Sequence, residues 1–115
     1  MEILTIKGEK FEKIEECAKK MRELVRGCRN QTREEERKLR ELIYQHGKNK
    51  NIKFKKGERY TFLMEKSINL GTSKYPDNAR ITEKSTENFI KETEKTIFFE
   101  YTKVLKRNLI GIVEE

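Results

Sequence analysis

The strongest constraint on the fold of this chain is a run of apolar residues at helical spacing near its N-terminus. Six residues recur at intervals of three and four, namely Phe11, Ile14, Ala18, Met21, Val25 and Cys28. This spacing places all six on one face of an α-helix, with lysine and glutamate on the outer face. The stripe covers fewer than three heptads, which favours a helix packed on its own domain over a free coiled coil. We predict that helix over residues 9–26.

A second helix is predicted after a turn at residues 27–31. Thr32 and Glu35 match a capping box, in which a hydroxyl and a carboxylate satisfy free backbone amides at the start of a helix. The helix then covers residues 33–45, and Gly47 is a candidate C-cap. The two helices together predict a helical hairpin.

A strand before the helices and a β-hairpin after them are also predicted. Residues 1–6 are rich in isoleucine and leucine and predict a short strand. Ile52 and Phe54 alternate with lysines, and residues 60–64 read YTFLM, so a hairpin with its turn at residues 56–57 is expected. In such a hairpin the apolar side chains face the core and the lysines face solvent.

The following region predicts a loop and then a helix. Residues 71–80 contain the single proline of the chain and predict a loop. Residues 82–95 are polar and predict a short helix, which Ser85 or Thr86 would cap.

The C-terminal residues predict two strands. Residues 96–105 are rich in aromatic and β-branched side chains, and residues 109–113 form a closing strand with Gly111 as a candidate bulge. Two faces of the first strand are candidates to cover the first helix: Ile97, Phe99 and Tyr101, or Phe98 and Val104.

These elements predict one α+β domain over residues 1–115. An N-terminal strand and a helical hairpin, over about residues 9–46, precede a mostly antiparallel β-sheet over about residues 51–113. One short helix is inserted in the sheet region. A chain of 115 residues suits a single domain.

The positive charge of the chain is concentrated in one segment. The net charge is +7, from 27 basic and 20 acidic residues. Residues 48–59 contain six basic residues and one acidic residue, which gives +5, whereas residues 1–47 carry +2 and residues 60–115 carry none. Because this charge is not neutralised locally, the segment predicts a surface that attracts an anionic partner.

Ten residues are therefore candidates for binding nucleic acid or a partner. Six lie in the basic segment and four on one face of the second helix: Lys48, Lys50, Lys53, Lys55, Lys56 and Arg59, with Arg33, Arg37, Arg40 and Tyr44. Lysine and arginine contact phosphates, and arginine donates two parallel hydrogen bonds to them. Phe54 and Tyr60 are interleaved with the lysines and could stack on unpaired bases.

A structural interpretation exists for the same residues. The second helix carries several i,i+4 pairs of opposite charge, such as Glu36 with Arg40, which are typical of a solvated, salt-bridged face. Phe54 and Tyr60 fit equally well in the core of the hairpin. We favour the structural interpretation for the helix and the functional one for residues 48–59.

The residue inventory argues against metal, cofactor and membrane chemistry. The two cysteines, Cys17 and Cys28, lie eleven apart with no CxxC motif, whereas a structural zinc site needs four close ligands. The chain has one aspartate, so it has no Asp-rich metal-binding loop. No phosphate-binding glycine motif is present, so no cofactor is expected. With no signal peptide pattern and no apolar run near the roughly 20 residues of a spanning helix, we expect a cytoplasmic protein with free thiols.

One motif resembles an enzyme family. Arg40 and His46 are separated by five residues, which resembles the RxxxxxH-type motif of HEPN ribonucleases. The resemblance implies that the histidine performs acid–base chemistry and that the arginine stabilises charge on the scissile phosphate. It covers seven residues. HEPN domains are all-helical, whereas the second half of this chain predicts strands.

Three functional hypotheses follow. The first is a basic, non-enzymatic protein that docks on RNA or DNA, or on the nucleic-acid site of a nucleoprotein complex. Such a protein would suit a phage or mobile-element regulator, or an inhibitor of a host defence effector, the role that anti-CRISPR proteins fill. The second is a protein–protein or homo-oligomerisation module that uses the helix-one stripe or an edge strand such as residues 109–113. The third is the ribonuclease.

Overall fold

The computed structural model describes residues 2–27 and 30–115. In this part of the chain a strand precedes two helices, and six further strands follow. The elements are β1 (Glu2–Lys7), α1 (Gly8–Leu24), α2 (Gln31–His46), β2 (Lys48–Asn51), β3 (Arg59–Asn69), β4 (Asn78–Glu92), β5 (Thr96–Phe99), β6 (Lys103–Leu105), a 3-10 turn (Lys106–Asn108) and β7 (Leu109–Glu114). The predicted α+β class, with an N-terminal strand and a helical hairpin before the sheet, is confirmed.

The described strands form one sheet in the order β2-β1-β7-β3-β4-β5-β6. Every neighbouring pair is antiparallel except β1 and β7, which run parallel. The C-terminal strand therefore inserts between β1 and β3. The predicted use of residues 109–113 as an exposed edge strand is wrong, because β7 has a hydrogen-bonded neighbour on each side.

The two helices cover one face of the sheet. Their shared core contains Ile6, Phe11, Ile14, Ile43, Leu63 and Ile110. The predicted stripe of α1 is thus used inside the domain: Phe11, Ile14 and Ala18 are buried, and Met21 and Val25 are half-buried. Burial of a side chain of this size contributes about 1.5–3 kcal/mol. Cys28, the last residue of the stripe, lies outside the described residues, and α1 ends at Leu24.

A second core lies on the opposite face. It contains Ile3, Phe54, Phe62, Phe89, Ile97, Phe99, Val104 and Ile112. The rings of Phe62 and Phe99 stack with their centroids 4.0 Å apart. The register of β4 and β5 shifts between Phe89 and Lys91, and such an irregularity bends a strand.

This arrangement corrects the prediction for the sheet face that packs on helix one. Ile97, Phe99 and Val104 belong to the second core and not to the helix-covered one. Tyr101 lies in the turn between β5 and β6, where 85% of it is exposed. Residues 96–105, predicted as one strand, form two short antiparallel strands. The face that meets α1 is supplied by β1, β3 and β7.

The helix predicted over residues 82–95 is a strand. β4 pairs with β3 in unbroken register from Arg59 with Asn88 to Asn69 with Asn78. The prediction that Ser85 or Thr86 caps a helix is therefore wrong. The Ser85 hydroxyl donates to Glu87, and the Thr86 hydroxyl shares a hydrogen bond with that of Thr61 on β3. Long-range pairing outweighs weak local helix signals here.

The start of α2 also differs from the prediction. The helix begins at Gln31, and Asn30 is the N-cap residue, so Thr32 lies inside the first turn. Glu35 forms an ion pair with Arg22 on α1, at 3.4 Å, and does not complete a capping box. Gly47 does follow the last helical residue, but in an extended conformation.

The predicted hairpin between residues 52–54 and 60–64 is not formed. β2 is built from residues earlier in the chain, Lys48–Asn51, and pairs with β1. Residues 52–55 belong to no strand, although the turn at residues 56–57 is confirmed. None of the described helices is long and apolar enough to cross a membrane.

Candidate nucleic-acid interface

The basic segment is anchored to the sheet on both sides of its turn. Phe54 is buried in the second core and stacks on Phe89 with their ring centroids 5.1 Å apart. Gly57 has a φ of 85°, in the left-handed region that glycine adopts readily. Its amide donates to the Phe89 carbonyl at 3.0 Å, and the Phe89 amide donates to the Glu58 carbonyl at 2.9 Å. The turn is therefore held in place by backbone hydrogen bonds to β4.

Four basic side chains on this segment are exposed without a carboxylate partner. These are Lys53, Lys55, Lys56 and Arg59. Within residues 2–27 and 30–115, the charged group of none of these four side chains forms an ion pair or a hydrogen bond. The neighbouring carboxylate of Glu58 accepts a hydrogen bond from the Tyr60 hydroxyl at 3.1 Å. The four cations face solvent from a fixed backbone.

Lys48 and Lys50 extend the charge along the edge strand β2. They pair in register with Thr5 and Ile3 of β1, and the Thr5 hydroxyl donates to the Lys48 carbonyl at 2.9 Å. The Lys50 ammonium forms an ion pair with Glu114 at 3.1 Å, while Lys48 has no such partner among the described residues. We call the six residues Lys48, Lys50, Lys53, Lys55, Lys56 and Arg59 the basic edge.

One end of the basic edge opens into a cleft of about 380 Å³. The cleft lies where β1 passes into α1 and α2 passes into β2. Its basic lining consists of Lys7, Lys10, Lys13, His46, Lys48 and Lys50. Glu9 and Glu114 also line it. We call this feature the lysine cleft. Its charge is +3 with a neutral histidine, from five lysines and two glutamates.

The arginines of α2 are engaged within the protein. Arg33 donates to both carboxylate oxygens of Asp77, at 2.6 and 3.1 Å, and these bonds raise the pKa of Arg33 despite partial desolvation. Arg37 lies between Glu34 and Glu41 on the same helix, at 3.2 and 3.4 Å. These contacts match the salt-bridged face that the i,i+4 pattern indicates.

Arg40 is the centre of a polar cluster between α2 and the sheet. Its guanidinium contacts Glu36 at 3.2 Å and Glu65 on β3 at 3.1 Å, and it donates to the Thr82 hydroxyl at 3.3 Å. Burial lowers the pKa of Arg40, but the hydrogen bond to Glu65 and the nearby charge of Glu36 help to outweigh it, and the net shift is upward. The hydrogen bond from Arg40 lowers the pKa of Glu65. This cluster ties α2 to the sheet.

The aromatic candidates fall into two groups. Phe54 is buried and Tyr60 packs half-buried against the same core, with their ring centroids 5.0 Å apart. Burial raises the pKa of the Tyr60 hydroxyl. The hydrogen bond that the hydroxyl accepts from the Lys55 amide lowers this pKa, and Glu58 raises it. Tyr44 on α2 is 59% exposed. Of these three rings, only that of Tyr44 is open to solvent over most of its surface.

The Arg40 and His46 side chains lie in different parts of the structure. Arg40 faces the sheet through Glu65 and Thr82, whereas His46 lines the lysine cleft at the end of α2. Arg40 is not among the residues that line that cleft. Over the part of the chain that the structure describes, no group of three or more His, Cys, Asp or Glu side chains could hold a metal ion.

Comparisons with known proteins give no relative from which a function could be inferred. No protein-family model, no curated protein and no solved structure matches this chain.

Three basic residues of the site were not among the predicted candidates. Lys7, Lys10 and Lys13 line the lysine cleft. In the sequence Lys10 and Lys13 belong to the charged outer face of the first helix, and Lys7 precedes that helix. The spacing of Lys10 and Lys13 is the one available signal, because residues three apart share a helix face. Their approach to Lys48 and Lys50 depends on the pairing of β1 with β2.

Proposed function

We propose that this protein is a non-enzymatic nucleic-acid-binding protein, whose basic edge contacts the phosphate backbone of RNA or DNA. The observation that carries the proposal is the set of four exposed cations on residues 53–59 with no carboxylate partner among the described residues. Cations that are already paired have less to gain from a phosphate. Unpaired lysines release the counterions of nucleic acid when they bind it, which is the main source of non-specific affinity.

The contrast with α2 supports this assignment. Arg33, Arg37 and Arg40 each contact at least one carboxylate. Binding of phosphate by these arginines would break existing ion pairs. We therefore assign backbone contacts to the basic edge and a structural role to the three arginines.

The proposed contacts carry little sequence information. Phosphates are the same at every position of a strand, so lysines that contact them do not discriminate between sequences. The buried ring of Phe54 and the half-buried ring of Tyr60 are poorly placed for base stacking. We propose binding with little sequence preference.

The test is the affinity for a fluorescently labelled 20-nucleotide single strand, measured by anisotropy at low salt. Neutralising three lysines of the edge, K53Q/K55Q/K56Q, is expected to weaken binding at least about tenfold. A control variant, K19Q/K20Q/K95Q, removes the same number of charges from exposed lysines elsewhere. Equal losses in both variants would mean that net charge alone matters, and would overturn the assignment to the basic edge.

Docking on a nucleoprotein complex would use the same lysines. A role as inhibitor of a host defence effector stays a prediction, as does a phage or mobile-element origin. The same anisotropy assay with the effector's guide or target strand would be its first step.

The oligomerisation hypothesis loses both surfaces on which it was based. The stripe of α1 packs inside the domain, and β7 lies between β1 and β3. The outer strands of the described sheet are β2, which reads KNKN, and β6, which has three residues. Charge and shortness are devices that discourage pairing at a sheet edge.

A further inference from the structure

We propose that the lysine cleft binds the terminal phosphate monoester of a nucleic-acid strand whose backbone follows the basic edge. This inference rests on the proposed function and adds the end of the strand to it. Lys48 and Lys50 line the cleft and also begin the basic edge. A strand that ends in the cleft would therefore continue along β2 towards residues 53–59.

The charges of the cleft favour a doubly charged anion. Lys7, Lys10, Lys13 and Lys48 form no ion pair with any described residue, and only Lys50 is matched, by Glu114. An internal phosphodiester carries one negative charge, whereas a phosphate monoester carries close to two at neutral pH. Several ammonium groups that line one cleft gain more from the second charge.

The backbone adds donors at the same place. The first turn of α1 lines the cleft through Glu9 and Lys10, and Lys7 at the N-cap position forms no side-chain hydrogen bond to that turn. The free amides and the positive end of the helix dipole both favour phosphate. The Glu9 carboxylate opposes this effect, but the lysines around it leave the cleft positive.

The shape of the cleft fits an end better than the middle of a strand. A volume of about 380 Å³ lies at the small end of the range for ligand sites. A terminal phosphate enters such a concave space with one sugar attached, whereas an internal phosphate brings a sugar on each side. His46, which also lines the cleft, supplies a further hydrogen-bond donor through its ring.

The test compares one labelled 12-nucleotide strand with a 5′-phosphate, with a 3′-phosphate and with hydroxyls at both ends. The full chain is expected to bind at least one phosphorylated form about tenfold more tightly than the hydroxyl form, since hydrogen bonds to charged groups are the strong ones. The tighter form assigns the polarity of the strand. Adenosine 5′-monophosphate serves as a competitor, to separate a free nucleotide from a strand end.

Variants assign the effect to the cleft. K10Q/K13Q should abolish the preference for the phosphorylated strand, while the hydroxyl strand still binds through the basic edge. K19Q/K20Q removes the same charge from the same helix outside the cleft and should keep the preference. Circular dichroism of both variants checks that α1 remains folded.

The outcomes separate this inference from the proposed function. Equal affinity for all three strands would overturn the inference and leave backbone binding intact. Loss of the preference in K19Q/K20Q would also overturn it, as would competition by the mononucleotide at the concentrations at which the strand binds. If no strand bound at all, the proposed function would fail and the inference with it.

Discussion

Arg33 on α2 and Asp77, immediately before β4, form a two-point ion pair, with nitrogen–oxygen distances of 2.6 and 3.1 Å. The two residues lie 44 positions apart. The pair connects the start of the second helix to the start of the long strand. The pair also engages the guanidinium of Arg33, which the sequence predicted as a candidate phosphate ligand.

We predict that Arg33→Gln leaves nucleic-acid affinity within about twofold of the parent protein, because pairing with a phosphate would require breaking the Asp77 contact first. Its melting temperature should fall slightly, since partly exposed ion pairs contribute little to stability. Asp77→Asn should have a similar effect on melting, and the double variant should add little more. A fivefold or larger loss of affinity in Arg33→Gln would return this residue to the binding surface.

A buried carboxylate makes stability depend on acid pH. Glu87 accepts hydrogen bonds from the Tyr101 amide at 2.7 Å, from the Ser85 hydroxyl at 2.9 Å and from the Thr102 hydroxyl. Burial raises the pKa of Glu87, but these hydrogen bonds outweigh it and the net shift is downward. Because the folded pKa lies below the unfolded value, the stabilisation is complete above about pH 5 and is lost as the pH falls through the folded pKa.

We expect Glu87→Gln to lower the free energy of unfolding by about 1–3 kcal/mol at pH 7, because charged acceptors form the stronger hydrogen bonds. The difference between the variant and the parent protein should be smaller at pH 3 than at pH 7, because the stabilisation is lost as the pH falls through the lowered folded pKa. Urea unfolding at the two pH values measures it. A difference that is the same at both values would contradict this role of the charge.

The central position of β7 depends on a close approach at Gly111. A Cβ atom there would lie 2.5 Å from the Leu4 carbonyl oxygen on β1. We expect Gly111→Ala to cost about 1–3 kcal/mol of stability, as overpacking against a backbone atom does. Gly8→Ala is a control, because its Cβ would lie 3.4 Å from the nearest atom, in ordinary contact. Equal stabilities of the two variants would contradict the packing of β7 on β1.

Substitutions at Phe54 distinguish a role in the core from a role in base stacking. Its ring contacts Phe89 and Phe99, so Phe54→Ala should cost about 3–5 kcal/mol of stability. Phe54→Leu keeps an apolar side chain and should leave nucleic-acid affinity within about twofold. Loss of a stacked base would cost about 1–3 kcal/mol of binding, which is roughly fivefold or more. A loss of that size in folded Phe54→Leu would place the ring in the interface.

Local patterns predicted the helices better than the sheet. The stripe of Phe11, Ile14 and Ala18 is a repeat that one helix can satisfy alone, and all three residues are buried. The long strand β4 gave a misleading signal because it carries a buried charge, Glu87, and hydroxyl side chains that pair across strands. Those contacts exist only once β3 and β5 are in place.

The candidate site was predictable in part. The excess charge of residues 48–59 is a property of composition, and the structure exposes it. Their partner strand was not predictable, because Lys48 pairs with Thr5, 43 positions earlier, in preference to the nearby strand β3. That same pairing brings Lys10 and Lys13 to the cleft, so the cleft depends on tertiary contacts that no local pattern records.

The most direct measurement of the central claim is the salt dependence of nucleic-acid binding by the parent protein and by K53Q/K55Q/K56Q. For a single strand the slope of log affinity against log salt is about −0.7 for each phosphate contact. Four unpaired cations on residues 53–59 predict a slope of about −3 or steeper for the parent protein. The triple variant should be shallower by about 2. Binding whose slope is unchanged in the triple variant, or no binding at low salt, would contradict the account.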